Sequence, residues 1–178
     1  FIMYGVQGRS WITMGGPVGP ESEWSELIWK FRELCDYYDG KPVFYHISNT
    51  HLDYYLDIGL SFLKLGEEAM VNLKEFTLDG AANRNLRNAH NKITKLGFTF
   101  EIIPQENTEK IIGRLKEISD AWLKEKNTRE KRFSIGCFDE KYIKHFPIAA
   151  ICKDGQIQAF ANIWATGQKK ELSLDLMR

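Results

Sequence analysis

The chain has 178 residues, 24 Lys plus Arg against 24 Asp plus Glu, a formal net charge of zero, and 43% hydrophobic residues. That balance excludes a disordered tail or a collagen-like or mucin-like chain, and the length fits one full domain or two small ones. The zero charge sums unlike parts, however: residues 21–39 hold six acids against two bases, whereas residues 81–96 hold Arg84, Arg87, Lys92 and Lys95 with no acid. No run reaches the roughly 18 apolar residues of a spanning helix, and no basic segment leads an apolar one at the start, so neither a membrane span nor a signal peptide is read here. Cys35, Cys137 and Cys152 are far apart and fit no C-x-x-C spacing, which points to unpaired thiols in a reducing compartment and away from structural zinc.

In chain order, residues 1–14 read as two strands around Gln7-Gly8-Arg9, closed by Gly15-Gly16-Pro17. From Glu21 to Asp39, Trp24, Leu27, Ile28, Phe31, Leu34, Cys35 and Tyr38 keep helical spacing, with Ser22 as the expected N-cap and Gly40 as the stop. Val43 to Ile47 predicts a strand, Asn49 an N-cap for a short helix, and Leu60 to Leu65 and Ala69 to Leu73 two further strands. A helix follows from about Gly80 to Leu96, then a strand from Phe98 to Ile103, then a helix from about Thr108 to Lys124. A short helix near Asp139 to His145 precedes three strands, Ile148 to Cys152, Gln156 to Trp164 and Glu171 to Met177. Helix, strands, helix, strands recurs in the two halves without residue-level repetition. The last strand runs to the final residues with no turn or cap, so the chain is expected to be part of something longer.

Three features carry possible chemistry. On a helical wheel, Ala82, Leu86, Ala89, Ile93 and Leu96 share one face, with Arg84, Arg87, Asn88, Asn91 and Lys95 opposite and Lys92 at the edge. Such a face can donate hydrogen bonds to phosphates and sugars, and equally fits a solvated helix surface with no ligand. The stretch Lys124 to Arg132 holds five basic and two acidic residues, and offers Lys131 and Arg132 as a second phosphate-binding surface or a hydrated loop. Asp175 and Arg178 stand three apart near the end of the last strand, where strict alternation sends them to opposite faces unless the strand bends. His46, His51, His90 and His145 show no metal spacing, Cys137 has no identifiable histidine partner, and the early glycines spell no nucleotide-binding motif. No metal or cofactor is expected.

Seven segments occur in one order and together resemble a known family. They are Gln7-Gly8-Arg9-Ser10-Trp11-Ile12 with Gly16-Pro17-Val18-Gly19; Leu65-Gly66-Glu67-Glu68-Ala69; Asn85-Leu86-Arg87-Asn88-Ala89; Phe133-Ser134-Ile135-Gly136 with Phe138-Asp139; Phe146-Pro147-Ile148-Ala149; Ala159-Phe160-Ala161-Asn162-Ile163; and Leu172-Ser173-Leu174-Asp175-Leu176-Met177-Arg178. The pattern is similar to the cytosolic catalytic domain of the multiple peptide resistance factor family, the aminoacyl-phosphatidylglycerol synthases, over essentially the whole chain.

The resemblance implies an α/β (α+β) architecture of tandem GNAT-like acyltransferase folds with mixed sheets, one over residues 1–96 and an incomplete second over residues 97–178. It implies transfer of an amino acid, usually lysine, from aminoacyl-tRNA to phosphatidylglycerol at the cytoplasmic face of the bacterial membrane, conferring resistance to cationic antimicrobial peptides. An N-terminal flippase region precedes the domain in full-length members. Asp175 and Arg178 fall on the family's Asp-x-x-Arg motif and Tyr142 on a further position of its pattern. Asp175 then holds the donor's α-ammonium or acts as base, and Arg178 binds a phosphate or the developing charge. Arg84, Arg87, Lys92, Lys95, Lys131 and Arg132 would meet tRNA or lipid phosphates. Two rivals stand beside this reading: a non-catalytic module binding RNA or an anionic membrane, and a GNAT-like acyl-CoA-dependent N-acyltransferase, which the lack of a Gly-rich pyrophosphate loop disfavours.

Overall fold

The computed structural model describes residues 1–134 and 136–178; Ile135, in the fourth motif segment, lies outside the described residues. The chain divides into two compact units, Phe1–Ala69 and Met70–Arg178.

In the first unit, β1 (Tyr4–Gln7) and β2 (Ser10–Met14) form the expected hairpin, and β3 (Lys41–Tyr45) pairs parallel to β2 through the intervening helix α1 (Trp24–Tyr37). Ile28, Phe31 and Cys35 of α1 are buried, and Phe31 meets the rings of Tyr4 and Phe44. Ser22 does not cap this helix: it lies in a 3₁₀ turn over Glu21–Glu23, and Glu23 occupies the N-cap position with no side-chain bond. Nor does Asn49 cap α2 (Leu52–Asp57), whose first turn follows His51 in the left-handed region.

The second unit opens with α3 (Arg84–Lys95), followed by β4 (Phe98–Ile103), the long α4 (Gln105–Glu125), a one-turn α5 (Glu140–Ile143), β5 (Ile148–Lys153), β6 (Gln156–Ala165) and β7 (Leu172–Met177). The four strands form an antiparallel sheet in the order β4-β5-β6-β7. Asp154 and Gly155, both at positive φ, make the two-residue β5–β6 turn that the Asp-Gly pair predicts. Leu115 and Ile118 of α4, Ile143 of α5, and Ile148, Ala150, Cys152, Ile157, Phe160 and Leu176 of the sheet form one buried core. Arg114 clamps helix to sheet, donating from Nε (2.9 Å) and Nη2 (2.8 Å) to the Ile157 carbonyl.

Two expected strands are not present. Leu60 to Leu65 and Ala69 to Leu73 are irregular, and Leu63 and Leu65 are 81% and 73% exposed. A β-branched or leucine-rich run becomes a strand only when a neighbour takes its backbone bonds, and among the described residues none pairs with these segments. Within the second unit, α3 packs against β4, the strand that follows it. The architecture is a mixed α/β one with two sheets and helices. Among the described residues, no helix is long and apolar enough to cross a membrane, and Cys35, Cys137 and Cys152 are free thiols.

Candidate functional site

The site is built around a defect in β7. Ala161 pairs with Met177 and Ile163 with Leu174, so Asp175 and Leu176 together oppose the single residue Asn162. Two residues facing one is a β-bulge, which bends the strand and re-aims a side chain. Regular pairing resumes at once: Arg178 and Phe160 exchange both backbone bonds, at 2.8 and 2.9 Å. Strict alternation would separate Asp175 from Arg178. With the extra residue inserted, both meet side chains of the helices packed on one core, Asp175 at α5 and Arg178 at α4.

Asp175 is half-buried and accepts two bonds. Oδ1 takes the Gly136 backbone N–H at 2.7 Å, and Oδ2 takes the Tyr142 hydroxyl at 2.6 Å. Gly136 is cut to fit this carboxylate: a Cβ there would stand 2.8 Å from Asp175 Cγ and 3.0 Å from Oδ1, and closer still to Oδ2. Tyr142 is placed by α5, which Asp139 caps by accepting the N–H groups of Lys141 (2.8 Å) and Tyr142 (3.2 Å). Its ring packs edge-on to Phe146 at 4.8 Å, and the buried Thr108 hydroxyl of α4 donates to the Phe146 carbonyl at 2.9 Å, fixing that neighbour. Burial, then the bond to Asp175 and the charge of Asp175, push the Tyr142 phenol well above its ordinary value, with Asn162 acting in the opposite sense. Tyr142 is therefore a neutral donor over the physiological range and not a base.

Arg178 makes no ion pair with Asp175 among the described residues. Its guanidinium donates from Nε to Ser119 Oγ (3.2 Å), from Nη1 to the Met177 carbonyl (3.1 Å) and from Nη2 to Glu130 Oε2 (2.9 Å), and it lies 4.4 Å from the centroid of the Trp122 ring. The Arg178 and Glu130 side chains are only 10% and 20% exposed. A planar fork held on its edge by three acceptors and on its face by an aromatic ring is firmly oriented.

The basic residues separate into two kinds. Arg84, Lys92 and Lys95 on α3 and Lys131 and Arg132 beyond α4 are exposed. Arg87 is half-buried, and its Nη1 donates to the carbonyls of Leu78 (2.5 Å) and Gly80 (3.1 Å), so it ties the preceding loop to the helix. The apolar face of α3 does not enter the core: Leu86, Ile93 and Leu96 remain exposed. Sequence reading missed Gly136, Asn162, Glu130, Ser119 and Trp122. Gly136 and Asn162 lay inside the motif segments, and a polar Asn within an apolar strand is the usual signature of a buried bonding role.

The mixed α/β fold that carries this carboxylate recurs in solved structures. The C-terminal domain (DUF2156) assigned to a lysylphosphatidylglycerol synthetase of Agrobacterium fabrum superposes with a TM-score of 0.92 at 45% identity, over 99% of this chain and 56% of that one. The L-PGS structure from Bacillus licheniformis superposes with a TM-score of 0.89 at 34% identity, with the same two coverages. Residues 1–178 match the family described as phosphatidylglycerol lysyltransferase, C-terminal, and the chain belongs to that family. Phosphatidylglycerol lysyltransferases of Staphylococcus xylosus and Staphylococcus aureus (strain MSSA476) are 36% and 33% identical to it over its whole length. The chain spans 21% of the length of these curated relatives.

Proposed function

We propose that the protein to which this chain belongs transfers an aminoacyl group, lysyl in the first instance, from aminoacyl-tRNA to a glycerol hydroxyl of phosphatidylglycerol. It does so at the cytoplasmic face of the bacterial membrane, beside an N-terminal flippase region of the same polypeptide. The product carries less negative charge than its precursor, which weakens cationic antimicrobial peptides. We place the chain within a tandem of GNAT-like folds whose second member begins near Gly97 and is completed elsewhere in the protein. The observation that carries the reading is the family match over residues 1–178, with the Asp-x-x-Arg residues found on one helix-covered face.

The donor ester is already activated, so the enzyme must bring the lipid hydroxyl to the ester carbonyl and stabilise the charge that forms. The hydroxyl oxygen attacks the carbonyl carbon, its proton is lost, and the tRNA ribose oxygen leaves protonated. Each Asp175 oxygen has one protein donor and keeps a further acceptor direction open. We assign Asp175 to the donor's α-ammonium, a charge-assisted contact that orients the ester. Tyr142, kept protonated, holds the carboxylate in place. Arg178 has two of its five N–H groups outside its protein bonds, available to a phosphate oxygen or the developing oxyanion. Arg84, Lys92, Lys95, Lys131 and Arg132 supply a basic surface for tRNA or lipid phosphates.

The test is lipid extraction after the parent-length protein meets charged tRNA and phosphatidylglycerol vesicles. A new aminoacylated lipid is expected, and is lost with Asp175→Asn. No aminoacylated lipid with any charged tRNA would end this reading.

A further inference from the structure

We propose that Asn162 is a positioning residue of the Asp175 site, one carboxamide setting both the strand bulge that aims Asp175 and the direction of the Tyr142 hydroxyl proton. The inference rests on the functional reading above and adds to it a residue outside the Asp-x-x-Arg pattern.

Asn162 is fully buried in the middle of β6, directly opposite the bulge. A bulge leaves one residue without its ladder partner, and a buried backbone N–H without a partner costs about 1–3 kcal/mol. Here that donor is the Leu176 N–H, and Asn162 Oδ1 accepts it at 2.6 Å. The side chain thus replaces the ladder bond that the extra residue removes, between the carboxylate at Asp175 and the re-paired Arg178. An apolar residue at this position would leave the N–H orphaned and favour a regular register, in which Asp175 is turned away from α5.

The same bond fixes which way round the amide lies. The atom facing a backbone N–H must be the carboxamide oxygen, so the other arm is the NH₂ group, which can only donate. That arm is buried and makes no hydrogen bond of its own. It belongs to the surroundings of the Tyr142 hydroxyl, where the amide favours the phenolate while Asp175 favours the phenol. A donor-only neighbour can approach the phenol only through its oxygen lone pairs, which leaves the O–H one direction, toward Asp175 Oδ2. Tyr142 and the Gly136 N–H then both donate to Asp175, with the Asn162 amide limiting the direction of the first, and such joined bonds hold a site more firmly than separate ones.

Asn162→Asp tests this in the parent-length enzyme. The variant is isosteric and keeps an acceptor for Leu176 N–H, but replaces the donor arm with a second carboxylate beside Asp175. Formation of aminoacyl-phosphatidylglycerol should fall at least ~10-fold in kcat, the change in the transition state worth one pK unit. The acid limb of the rate–pH profile should move, because the substitution adds a second titrating carboxyl group to the site. A purely structural lesion would lower the amplitude and leave that limb in place.

The second readout is a cycle with Tyr142→Phe. If the amide acts through the tyrosine, the donor-dependent part of the Asn162→Asp loss disappears in the Tyr142→Phe background; strictly additive losses would overturn the proposal. Should Asn162→Asp yield no folded protein, Asn162→Ser, which retains a hydroxyl, enters the same cycle with the same criterion. Wild-type kcat and pH profile in an Asn162 variant, with the wild-type enzyme active, overturn this inference alone. An inactive wild-type enzyme would instead sink the reading on which it rests.

Discussion

Substituting Gly136 by Ala perturbs the site through one atom. Alanine at this position adds a single Cβ. What it brings is a methyl group 2.8 Å from Asp175 Cγ, too close to persist, and the obstacle is a charged carboxylate held at both oxygens. The carboxylate must swing off the Gly136 N–H or the loop must retreat, and either breaks the 2.7 Å bond and disturbs the 2.6 Å bond to Tyr142. Bonds to a charged group contribute ~1.5–3 kcal/mol each, so displacing the carboxylate forfeits ~2–4 kcal/mol of positioning. At ~1.4 kcal/mol per decade, aminoacyl-lipid formation by the parent-length enzyme should fall roughly 30- to 1,000-fold. Gly113→Ala is the control: nothing lies within 4 Å of a Cβ there, inside α4. That change should raise stability by ~0.5–1 kcal/mol and leave the rate alone. Wild-type activity in Gly136→Ala, with the control behaving as stated, would refute the caged-carboxylate argument.

Glu130→Ala should lower unfolding free energy by ~3–5 kcal/mol, because it strands the nearly buried Arg178 guanidinium, and a denaturant midpoint equivalent to less than ~1 kcal/mol would contradict this. Lys92→Glu and Lys95→Glu should weaken tRNA binding and flatten its salt dependence by roughly 0.7–0.9 in log–log slope for each phosphate left unneutralised, as read by filter binding across a salt series. Arg87→Ala should instead cost ~1–3 kcal/mol of stability through the Leu78 and Gly80 carbonyls while leaving the salt slope unchanged. The folded pKa of Tyr142 is raised above its ordinary 10.0, so its contribution is complete below pH 10 and is lost as pH rises and the unfolded phenol ionises first. Chemical denaturation above pH 10 should therefore show wild type losing more stability than Tyr142→Phe.

How much of this was legible depended on where each element finds its partners. Phe98–Ile103 reads as a strand and is one, and the Asp-Gly turn at residues 154–155 follows from the left-handed backbone those residues accept. Leu60 to Leu65 has the same local appearance and forms no strand, since pairing is a property of the neighbour and not of the segment. The basic face of α3 was visible as a charge pattern, but nothing in that pattern separates Arg87, turned back to the loop carbonyls, from Lys92 and Lys95 in solvent. Asp175 and Arg178 stood out by family pattern. Their surroundings did not, because Gly136, Ser119, Glu130 and Asn162 come from distant stretches of the chain that only the tertiary fold assembles.

The spacing of the Asp-x-x-Arg motif makes sense as a strand defect. In a regular strand a separation of three places two side chains on opposite faces, so the motif would divide Asp175 from Arg178. One inserted residue restores both to the face that the helices cover, and it does so only if the freed backbone donor is satisfied. Asn162 satisfies it, and Arg178 closes the bulge by pairing its backbone with Phe160 while α4 and Glu130 fix its side chain. Arg178 thus has a mechanical part whatever it does to substrate: it ends the bulge that begins at Asp175. Arg178→Lys keeps the charge but loses the planar fork that reaches Ser119 and Glu130 together. It should therefore reduce activity even where it preserves the overall fold, and a fully active Arg178→Lys enzyme would mean that the charge alone, without the oriented fork, is what the strand end requires.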